Sequence, residues 1–249
     1  MANFVEQVFK KDTKVARSES ILYNNNNNIK EAVDRLKDNI LYYAVDGNKK
    51  VIQIESSISG EAKTTTNVNL AVSLGLSGKK VVIIDLDFRK PRVHRAFKLS
   101  NENGISDYFL DKIDKKSLIK QTSYENVNII TRGAEIQNPS VILTSEKMVN
   151  LINELRQDFD FILLDCPPVL MISDYIHIAR LSDGVIFNVA YGKTKKAQVK
   201  EAIGLLKKNN IDIIGAVFTF YDPKKANNYG DYHYYSYYSY EDHVKKDNK

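Results

Sequence analysis

Short runs of almost wholly apolar residues recur through the middle of the chain, and they constrain its fold more than any other feature. Six such runs read VIQI at 51–54, VVIID at 81–85, VNIIT at 127–131, FILLD at 161–165, GVIFNVA at 184–190 and IIGAVFTF at 213–220. Each has the length of a β-strand, and strands that are apolar throughout are expected to be covered on both faces. The runs therefore predict a parallel sheet between two layers of helices.

The segments that connect these runs show the spacing of amphipathic helices. In two of them, apolar residues stand at positions i, i+3, i+4 and i+7. They are Met148, Leu151, Ile152 and Leu155 in one segment and Val199, Ala202, Ile203 and Leu206 in the other. Strands that alternate with helices are typical of doubly wound proteins, so we predict an α/β fold with a mostly parallel sheet and helices on both faces.

The two ends of the chain differ in composition from this middle part. Residues 1–30 end in the run from Asn24 to Asn28, which cannot contribute to a hydrophobic core and is expected to be an exposed linker. Residues 222–249 hold a cluster of seven tyrosines and almost no aliphatic residue. We therefore predict an amino-terminal segment, a folded domain at 31–221 and a flexible, disordered tyrosine-rich tail.

Composition and charge argue against several classes of protein. The formal net charge is +5, but the lysines are spread along the chain, so we do not expect nucleic-acid binding. No apolar run approaches the roughly 18 residues of a membrane span, and the first residues show no secretory signal. The single cysteine, Cys166, fits a reducing compartment. A cytoplasmic location is the resulting expectation.

The stretch from Ser57 to Thr64, SISGEAKT, has the spacing of a phosphate-binding P-loop. That motif, G-x-x-x-x-G-K-[ST], lies between a strand and a helix, where backbone N–H groups, a lysine and a hydroxyl surround the phosphates. Lys63 and Thr64 are present, whereas Ser57 and Ala62 replace two glycines. On this stretch alone, a helix amino terminus with a chance Lys-Thr pair is an equally good interpretation. The candidate nucleotide-binding residues are Ser59, Gly60, Glu61, Ala62, Lys63, Thr64 and Thr65.

Acidic residues at the ends of two other predicted strands support a nucleotide site. Asp85 ends the run VVIID, Asp87 follows two residues later, and Asp165 ends the run FILLD. The carboxyl ends of parallel strands meet at the edge where α/β sheets bind ligands. Carboxylate and hydroxyl oxygens are ligands that Mg²⁺ prefers, and a carboxylate can also act as a base toward an incoming hydroxyl. The sequence therefore predicts a Mg²⁺-nucleotide centre at this edge.

Together these motifs resemble a known family. Lys63 with Thr64, the segment DLDFRKP at 85–91, the segment QNPSVILTSEKMVNLINELRQDFDFILLDCPPVLMISD at 137–174 and the tyrosine-rich tail look like the bacterial tyrosine kinases that control capsule and exopolysaccharide synthesis. The resemblance covers roughly residues 30 to 240. Within that family, the chain is more similar to the stand-alone cytoplasmic form, which is found with a separate transmembrane activator.

The resemblance implies a role for each candidate residue. Lys63 binds the β- and γ-phosphates, Thr64 ligates Mg²⁺, and Asp165 supports the metal. Asp85 and Asp87 match the family's second acidic motif, in which one carboxylate takes the proton of the substrate tyrosine and the other assists the metal. The motif does not separate the two. We expect both to be catalytic, with Asp85 preferred as the base and Asp87 as a contributor to the metal site.

The resemblance also implies what the chain acts on and with. It implies an ATP- and Mg²⁺-dependent protein-tyrosine kinase that autophosphorylates its tail in trans and regulates exopolysaccharide or capsule biosynthesis. The candidate acceptors are Tyr229, Tyr232, Tyr234, Tyr235, Tyr237, Tyr238 and Tyr240. The implied partners are a transmembrane adaptor of the polysaccharide co-polymerase type, further copies of the chain and a protein-tyrosine phosphatase. The implied location is cytoplasmic, peripheral to the membrane through the adaptor.

Four features depart from the family's pattern, and one of them, Cys166 after Asp165, is expected to be a small packing residue. Ala62 stands where the loop backbone often needs a positive φ, and its Cβ is expected to cost roughly 1–2 kcal/mol. Ser59 replaces a proline, with a milder loss of rigidity. The family's ring-forming helix reads Glu-x-x-Arg-x-x-Arg, whereas this chain has Glu31, Asp34 and Lys37 at those positions. The charge reversal at Asp34 weakens the expectation of an octameric ring.

Two other functions remain open from the sequence. The crowded loop is compatible with a catalytically weak pseudokinase that scaffolds the polysaccharide machinery. The tyrosine-rich tail argues against this function, because a kinase without activity has no need of a substrate tail. The other is a partitioning or cell-division-type ATPase, whose signature lysine would stand at Ile58. The intact Lys63, the three carboxylates and the tail favour the active kinase.

Overall fold

The computed structural model describes Ile21, Tyr23 and the ranges 27–45 and 49–221. Most of the predicted amino-terminal segment, 1–30, lies outside these residues, including Asn24 to Asn26 of its Asn-rich run, whereas Asn27 and Asn28 begin the first helix. The predicted tail, 222–249, also lies outside them with all seven of its candidate acceptor tyrosines. The boundaries of the three predicted parts therefore stay predictions.

A seven-stranded sheet forms the centre of the described chain. Its strands are β1 (Val51–Ser56), β2 (Val81–Asp85), β3 (Lys120–Gln121), β4 (Val127–Ile130), β5 (Phe161–Asp165), β6 (Gly184–Ala190) and β7 (Ile213–Thr219). The spatial order is β3-β4-β2-β5-β1-β6-β7, and every pair is parallel except the antiparallel β3-β4 pair at one edge. The prediction of a mostly parallel α/β sheet is confirmed.

Helices precede and connect these strands. They are α1 (Asn27–Val45), α2 (Lys63–Leu76), α3 (Val93–Ala96), α4 (Ile105–Phe109), α5 (Lys115–Leu118), α6 (Pro139–Leu143), α7 (Glu146–Asp158), α8 (Asp174–Ala179) and α9 (Lys196–Lys208). The two predicted apolar stripes lie on α7 and α9. In the described residues, no helix combines the length and the apolar character that crossing a bilayer requires.

Alternate residues of the central strands face different helices. On β2, Val81 and Ile83 belong to a buried cluster that also contains Ile40 of α1 and much of α2. Val82 and Ile84, which point the other way, belong to a cluster with the apolar stripe of α7. Because both faces of the strand are covered, both sets of alternating residues must be apolar. This burial explains why the strands appear in the sequence as continuous apolar runs.

The register of the sheet brings three chain segments to one edge. Asp85, at the end of β2, pairs with Asp165, at the end of β5, and Asp165 in turn pairs with Ile54 of β1. From Ser56, the last residue of β1, the chain runs through the loop 57–62 into α2. The loop and the two acidic strand ends therefore lie together at the carboxyl edge of the sheet.

Candidate active site

The loop between β1 and α2 turns through two residues with positive φ. Gly60 has φ +88°, and Ala62 has φ +60° with ψ 29°. A Cβ at Gly60 would meet no non-neighbouring atom of the described residues within 4 Å, so the loop is open there. The helix hydrogen bonds begin directly after the loop, where the N–H of Thr66 donates to the carbonyl of Ala62 at 2.8 Å. The amino terminus of the 14-residue helix α2, which favours anions, thus lies at the loop.

We expect Ala62→Gly to raise the free energy of unfolding by about 0.5–1 kcal/mol. Ala62 holds a left-handed conformation that costs a residue with a Cβ roughly 1–2 kcal/mol, and the greater freedom of glycine in the unfolded chain offsets part of the gain. The variant should also bind a fluorescent ATP analogue more tightly, because it removes a methyl group from the cavity wall. Urea unfolding and nucleotide titration measure the two effects.

The matched control for this prediction is Ala202→Gly. Ala202 is buried in α9, where glycine lowers helix stability by about 1 kcal/mol, so this variant should be less stable than the parent. A loss of stability of the same size in Ala62→Gly would contradict the account of the loop.

Glu61 fixes the loop to the neighbouring strands. Its buried carboxylate accepts the N–H of Ile58 at 2.8 Å, the N–H of Ala190 at the end of β6 at 3.2 Å, and the hydroxyl of Thr194. Its carbonyl accepts the hydroxyl of Thr219 in β7 at 3.1 Å. The side chain therefore positions the loop, a role that the sequence analysis missed. A carboxylate within an anion-binding loop was the signal that could have identified it.

Lys63, Thr64 and Asp165 are brought together at the start of α2. The amino group of Lys63 donates to Oγ of Ser56 at 3.1 Å, and the hydroxyl of Thr64 donates to Oδ2 of Asp165 at 2.8 Å. Asp165 is buried, and burial raises its pKa to about 6, although the charge of Lys63 acts in the opposite direction. A cation bound to this carboxylate would therefore offset an existing desolvation penalty.

A cavity of about 450 Å³ adjoins the loop, a size within the range of small-ligand sites. All the predicted nucleotide-binding residues, 59–65, line it, and so does Asp87. The basic residues Lys90, Arg92 and Arg95 form another part of its wall. The cavity thus combines groups that bind phosphates with a carboxylate that can accept a proton.

Asp85 and Asp87 differ in their surroundings. Asp85 is fully buried, and its Oδ2 accepts the backbone N–H groups of Arg92 and Val93 at 2.9 and 3.1 Å. Burial, and after it the charge of Asp165, raises the pKa of Asp85. Asp87 is half-buried and lines the cavity, which Asp85 does not. The geometry favours Asp87 as the group that meets a substrate, so the preference for Asp85 as the base stays a prediction that this arrangement does not support.

The residues at the cavity fit Mg²⁺ bound together with a nucleotide. The hydroxyl of Thr64 and the carboxylates of Asp165 and Asp87 are hard oxygen donors. No group of three or more His, Cys, Asp or Glu side chains that could hold a metal ion occurs in the part of the chain that the structure describes. At phosphoryl-transfer sites, Mg²⁺ is bound through one or two carboxylates and the phosphate oxygens of the substrate, so such a group is not required.

A buried acid that the sequence analysis missed lies at the end of β1. Glu55 is fully buried, and its Oε1 accepts the side-chain N–H of Gln53 at 2.7 Å. Burial raises the pKa of Glu55 to about 8, against the opposing effect of the Lys63 charge. An acidic residue that directly continues the apolar run VIQI was the signal in the sequence.

Asp34, where the family's ring-forming helix has arginine, forms hydrogen bonds within its own chain. Its Oδ1 accepts the hydroxyls of Tyr23 and Ser73, both at 2.6 Å, and Lys37 lies 3.6 Å away. Because Ser73 belongs to α2, Asp34 ties α1 to α2. This contact gives a physical reason for the departure from arginine. Assembly of several copies stays a prediction.

Comparisons with known proteins identify relatives that share both sequence and fold. A family model described as the AAA domain matches residues 49–216. The tyrosine-protein kinase YwqD of Bacillus subtilis is 33% identical over 197 residues, which cover 79% of this chain and 83% of YwqD. The region that the AAA domain model matches includes the loop, α2 and the strands β1, β2 and β5, which end at the site.

Solved structures extend the likeness to the fold. The crystal structure of the chimerical protein CapA2B2 is similar with a TM-score of 0.76 at 29% identity, covering 80% of this chain and 88% of that chain. The septum site-determining protein MinD from Pyrococcus horikoshii, complexed with Mg-ADP, is similar with a TM-score of 0.59 at 25% identity, covering 71% and 75%. The second likeness supports nucleotide and Mg²⁺ use by this fold.

Proposed function

We propose that this chain, which carries an AAA domain and belongs to the family of bacterial tyrosine kinases, transfers the γ-phosphoryl group of ATP to tyrosine hydroxyls. The observation that carries the proposal is the convergence at one cavity of Lys63, Asp87 and the hydrogen-bonded pair of Thr64 and Asp165. Phosphoryl transfer depends on positioning and charge stabilisation more than on covalent catalysis, and these groups provide both.

The loop and the start of α2 would bind the phosphates. Lys63, already oriented by Ser56, and the backbone N–H groups of the loop face the β- and γ-phosphates in this proposal. Thr64, Asp165 and Asp87 would hold Mg²⁺, which when bound supplies charge neutralisation at the phosphate oxygens. Glu61 keeps the loop in its conformation through the bonds described above.

Asp87 receives the proton of the acceptor tyrosine in this proposal. The tyrosyl oxygen forms a bond to the γ-phosphorus, the bond from that phosphorus to the β,γ-bridging oxygen breaks, and ADP leaves with the electron pair. The phenol proton passes to the Asp87 carboxylate and from there to water. A tyrosine hydroxyl with a pKa near ~10 needs such a base or strong positioning. Asp85 acts as a positioning residue, because it binds the turn that follows Asp87.

The acceptor we propose is the tyrosine cluster from Tyr229 to Tyr240, presented in trans by a neighbouring copy. The support is its composition, since Gly, Ser, Asp and His separate the tyrosines and keep the segment polar. Each phosphate adds about −1.5 to −2 charges, so a fully modified tail would repel neighbouring copies. By this change the chain would regulate exopolysaccharide or capsule output from the cytoplasmic side of a transmembrane adaptor, and a protein-tyrosine phosphatase would reverse it.

A second candidate function is a scaffold that transfers phosphate poorly. The observation that favours it is the left-handed conformation of Ala62, a residue that lines the nucleotide cavity. The kinase and the scaffold would bind the same partners but differ in the rate of tyrosine phosphorylation, so a phosphorylation assay distinguishes them.

The test of the proposed function is incubation of the purified full-length protein with labelled ATP and Mg²⁺, with and without the cytoplasmic segment of its activator. Phosphotyrosine is then mapped by mass spectrometry in the parent, Lys63→Met and Ala62→Gly. We expect label between Tyr229 and Tyr240 in the parent, more label in Ala62→Gly, and none in Lys63→Met.

Two results would oppose the kinase proposal. Equal labelling of the parent and Lys63→Met would show that the phosphotyrosine does not come from this site. Label confined to Ala62→Gly would establish the scaffold instead. It would show that the alanine at position 62 is what prevents phosphoryl transfer in the parent.

A further inference from the structure

Beside the nucleotide cavity lies a second cavity of about 350 Å³, here called the basic cavity. The charged residues that line it are Arg89, Lys90, Arg92, Arg95 and Arg132. No acidic residue of the described ranges lines it, and none of the five cations forms an ion pair with a carboxylate of those ranges. Such a concentration of positive charge in one lining attracts an anion.

Three buried polar atoms in the wall of the basic cavity have no hydrogen-bond partner among the described residues. They are Nε of Arg132, Nδ1 of His94 and Oδ1 of Asn101. The side-chain N–H of Asn101 donates to the carbonyl of Gly133 at 3.1 Å, which fixes Oδ1 as an acceptor. These atoms are inaccessible to a ligand, whereas the side chains of Arg89, Lys90, Arg92 and Arg95 are exposed and can meet one. The phosphate of a phosphorylated peptide supplies the anionic oxygens that guanidinium and ammonium groups bind.

The basic cavity adjoins the place where the acceptor tyrosine must lie. Lys90, Arg92 and Arg95 line both cavities, so the two share a wall. Asp87, the proposed base, lines the nucleotide cavity and lies two residues before Arg89 in the chain. With ATP in the nucleotide cavity, an anion in the basic cavity would be a group separate from the ATP phosphates. It would lie near the acceptor tyrosine.

We infer that the basic cavity binds a phosphotyrosine side chain of the substrate segment and thereby presents a nearby tyrosine of the same segment to Asp87. This inference rests on the proposed function, because it identifies the substrate as a tail that already carries one phosphate. Arginine guanidinium groups bind phosphate through two parallel hydrogen bonds, a geometry that a lysine cannot reproduce. The reaction itself is unchanged.

The spacing of the tail tyrosines suits two adjoining cavities. Tyr232 follows Tyr229 by three residues, and Tyr237 follows Tyr235 by two. In an extended chain, two or three residues span roughly 7–10 Å, so one segment can carry two tyrosines toward two cavities that share a wall. A first phosphorylation would therefore accelerate the next, and modification of the cluster would proceed in a preferred order.

The test compares two synthetic peptides with the sequence of residues 229–240, one unmodified and one with phosphate on Tyr237. Their binding to the full-length protein, with its seven tail tyrosines changed to phenylalanine, is measured by fluorescence anisotropy with Mg²⁺ and a non-hydrolysable ATP analogue. We expect the phosphopeptide to bind at least about 10-fold more tightly. Arg89→Gln and Arg132→Gln should each remove most of this preference without changing turnover of the unmodified peptide.

Arg89 is exposed, so its variant tests the inference even if Arg132→Gln perturbs the fold by releasing the carbonyl of Phe88. Arg180→Gln, at an exposed position outside both cavities, is the matched control and should keep the full preference.

Equal affinity for the two peptides, or a preference that survives in both cavity variants, would overturn the inference. Binding to phosphatidylserine vesicles that weakens in both variants, without any peptide preference, would assign the cavity to a membrane surface and also overturn it. Binding and turnover are separate readouts. A phosphopeptide preference without any phosphoryl transfer would support the basic cavity while contradicting the proposed function.

Discussion

Asp87→Asn is expected to lower the rate of tyrosine phosphorylation by about 10²- to 10⁴-fold while leaving the unfolding temperature almost unchanged. Asp87 lines the nucleotide cavity and is half-buried, so its loss removes a base without opening a hole in the core. Initial rates at saturating Mg-ATP and thermal unfolding of the same preparation measure the two quantities.

Asp85→Asn is the matched comparison, and it should behave differently. Both oxygens of Asp85 accept backbone N–H groups, from Arg92 and Val93 at Oδ2 and from Asp87 at Oδ1, so an amide would turn its NH2 group toward one of these donors. The replacement is therefore expected to cost about 1–3 kcal/mol of stability. The rate should fall less than in Asp87→Asn, because the base is displaced but still present. A rate lost only in Asp85→Asn at unchanged stability would contradict this assignment. Full rescue of Asp87→Asn by excess Mg²⁺ would leave Asp87 only its place in the metal site and contradict its role as the base.

Glu55→Gln is expected to stabilise the fold by several kcal/mol at alkaline pH. Burial raises the pKa of Glu55 to about 8, so the native state keeps a proton that the unfolded chain releases near pH 4.5. Between these values the parent loses roughly 1.4 kcal/mol of unfolding free energy for each pH unit, because its native state binds more protons. Glutamine resembles the protonated acid and can still accept the bond from Gln53. The stabilities of the parent and the variant should therefore converge below pH 4.5 and diverge toward pH 8.

Urea unfolding at pH 5, 6.5 and 8 gives this difference as a function of pH. The raised pKa values of Asp85 and Asp165 occur in both proteins, so the difference between the two curves reports mainly the change at residue 55. Glu125→Gln replaces an exposed acid and serves as the control, with a difference expected to be flat. A stability difference for Glu55→Gln that does not grow with pH would show that Glu55 is ionised in the native state.

The sheet could be predicted from the sequence because its strands are buried on both faces. Burial of both alternating sets makes a strand such as β5 continuously apolar, so its limits at Phe161 and Asp165 appear directly in the residue pattern. The edge strand β3 could not be found in this way. It has only two residues, Lys120 and Gln121, and neither is buried, so its residues carry no apolar pattern.

The site was only partly predictable. Residue spacing placed Ala62 at a position where the loop often needs a positive φ, and the structure has φ +60° there. Spacing could not distinguish Asp85 from Asp87, because their difference is one of burial: Asp85 is fully buried, whereas Asp87 lines the cavity. The bonds of Glu61 to β6 and the burial of Glu55 depend on tertiary contacts that no local pattern records.

The basic cavity illustrates the same limit. Arg89, Lys90 and Arg92 are neighbours in the sequence, where a solvated basic turn is an equally good interpretation. Arg132 follows β4 and is brought to them by the fold of the chain. The cavity exists only because the fold places Arg132 beside the basic turn, and this contact cannot be read from the sequence.

The central claim is that the cavity at Lys63 phosphorylates tail tyrosines of a neighbouring copy, and a mixture of two full-length variants tests it most directly. One variant keeps the site and has its seven tail tyrosines changed to phenylalanine, and the other keeps the tail and carries Lys63→Met. With labelled ATP and Mg²⁺, we expect no tail label on either variant alone and label on the Lys63→Met tail in the mixture. An unlabelled Lys63→Met tail in the mixture, or label on Lys63→Met alone, would contradict the claim.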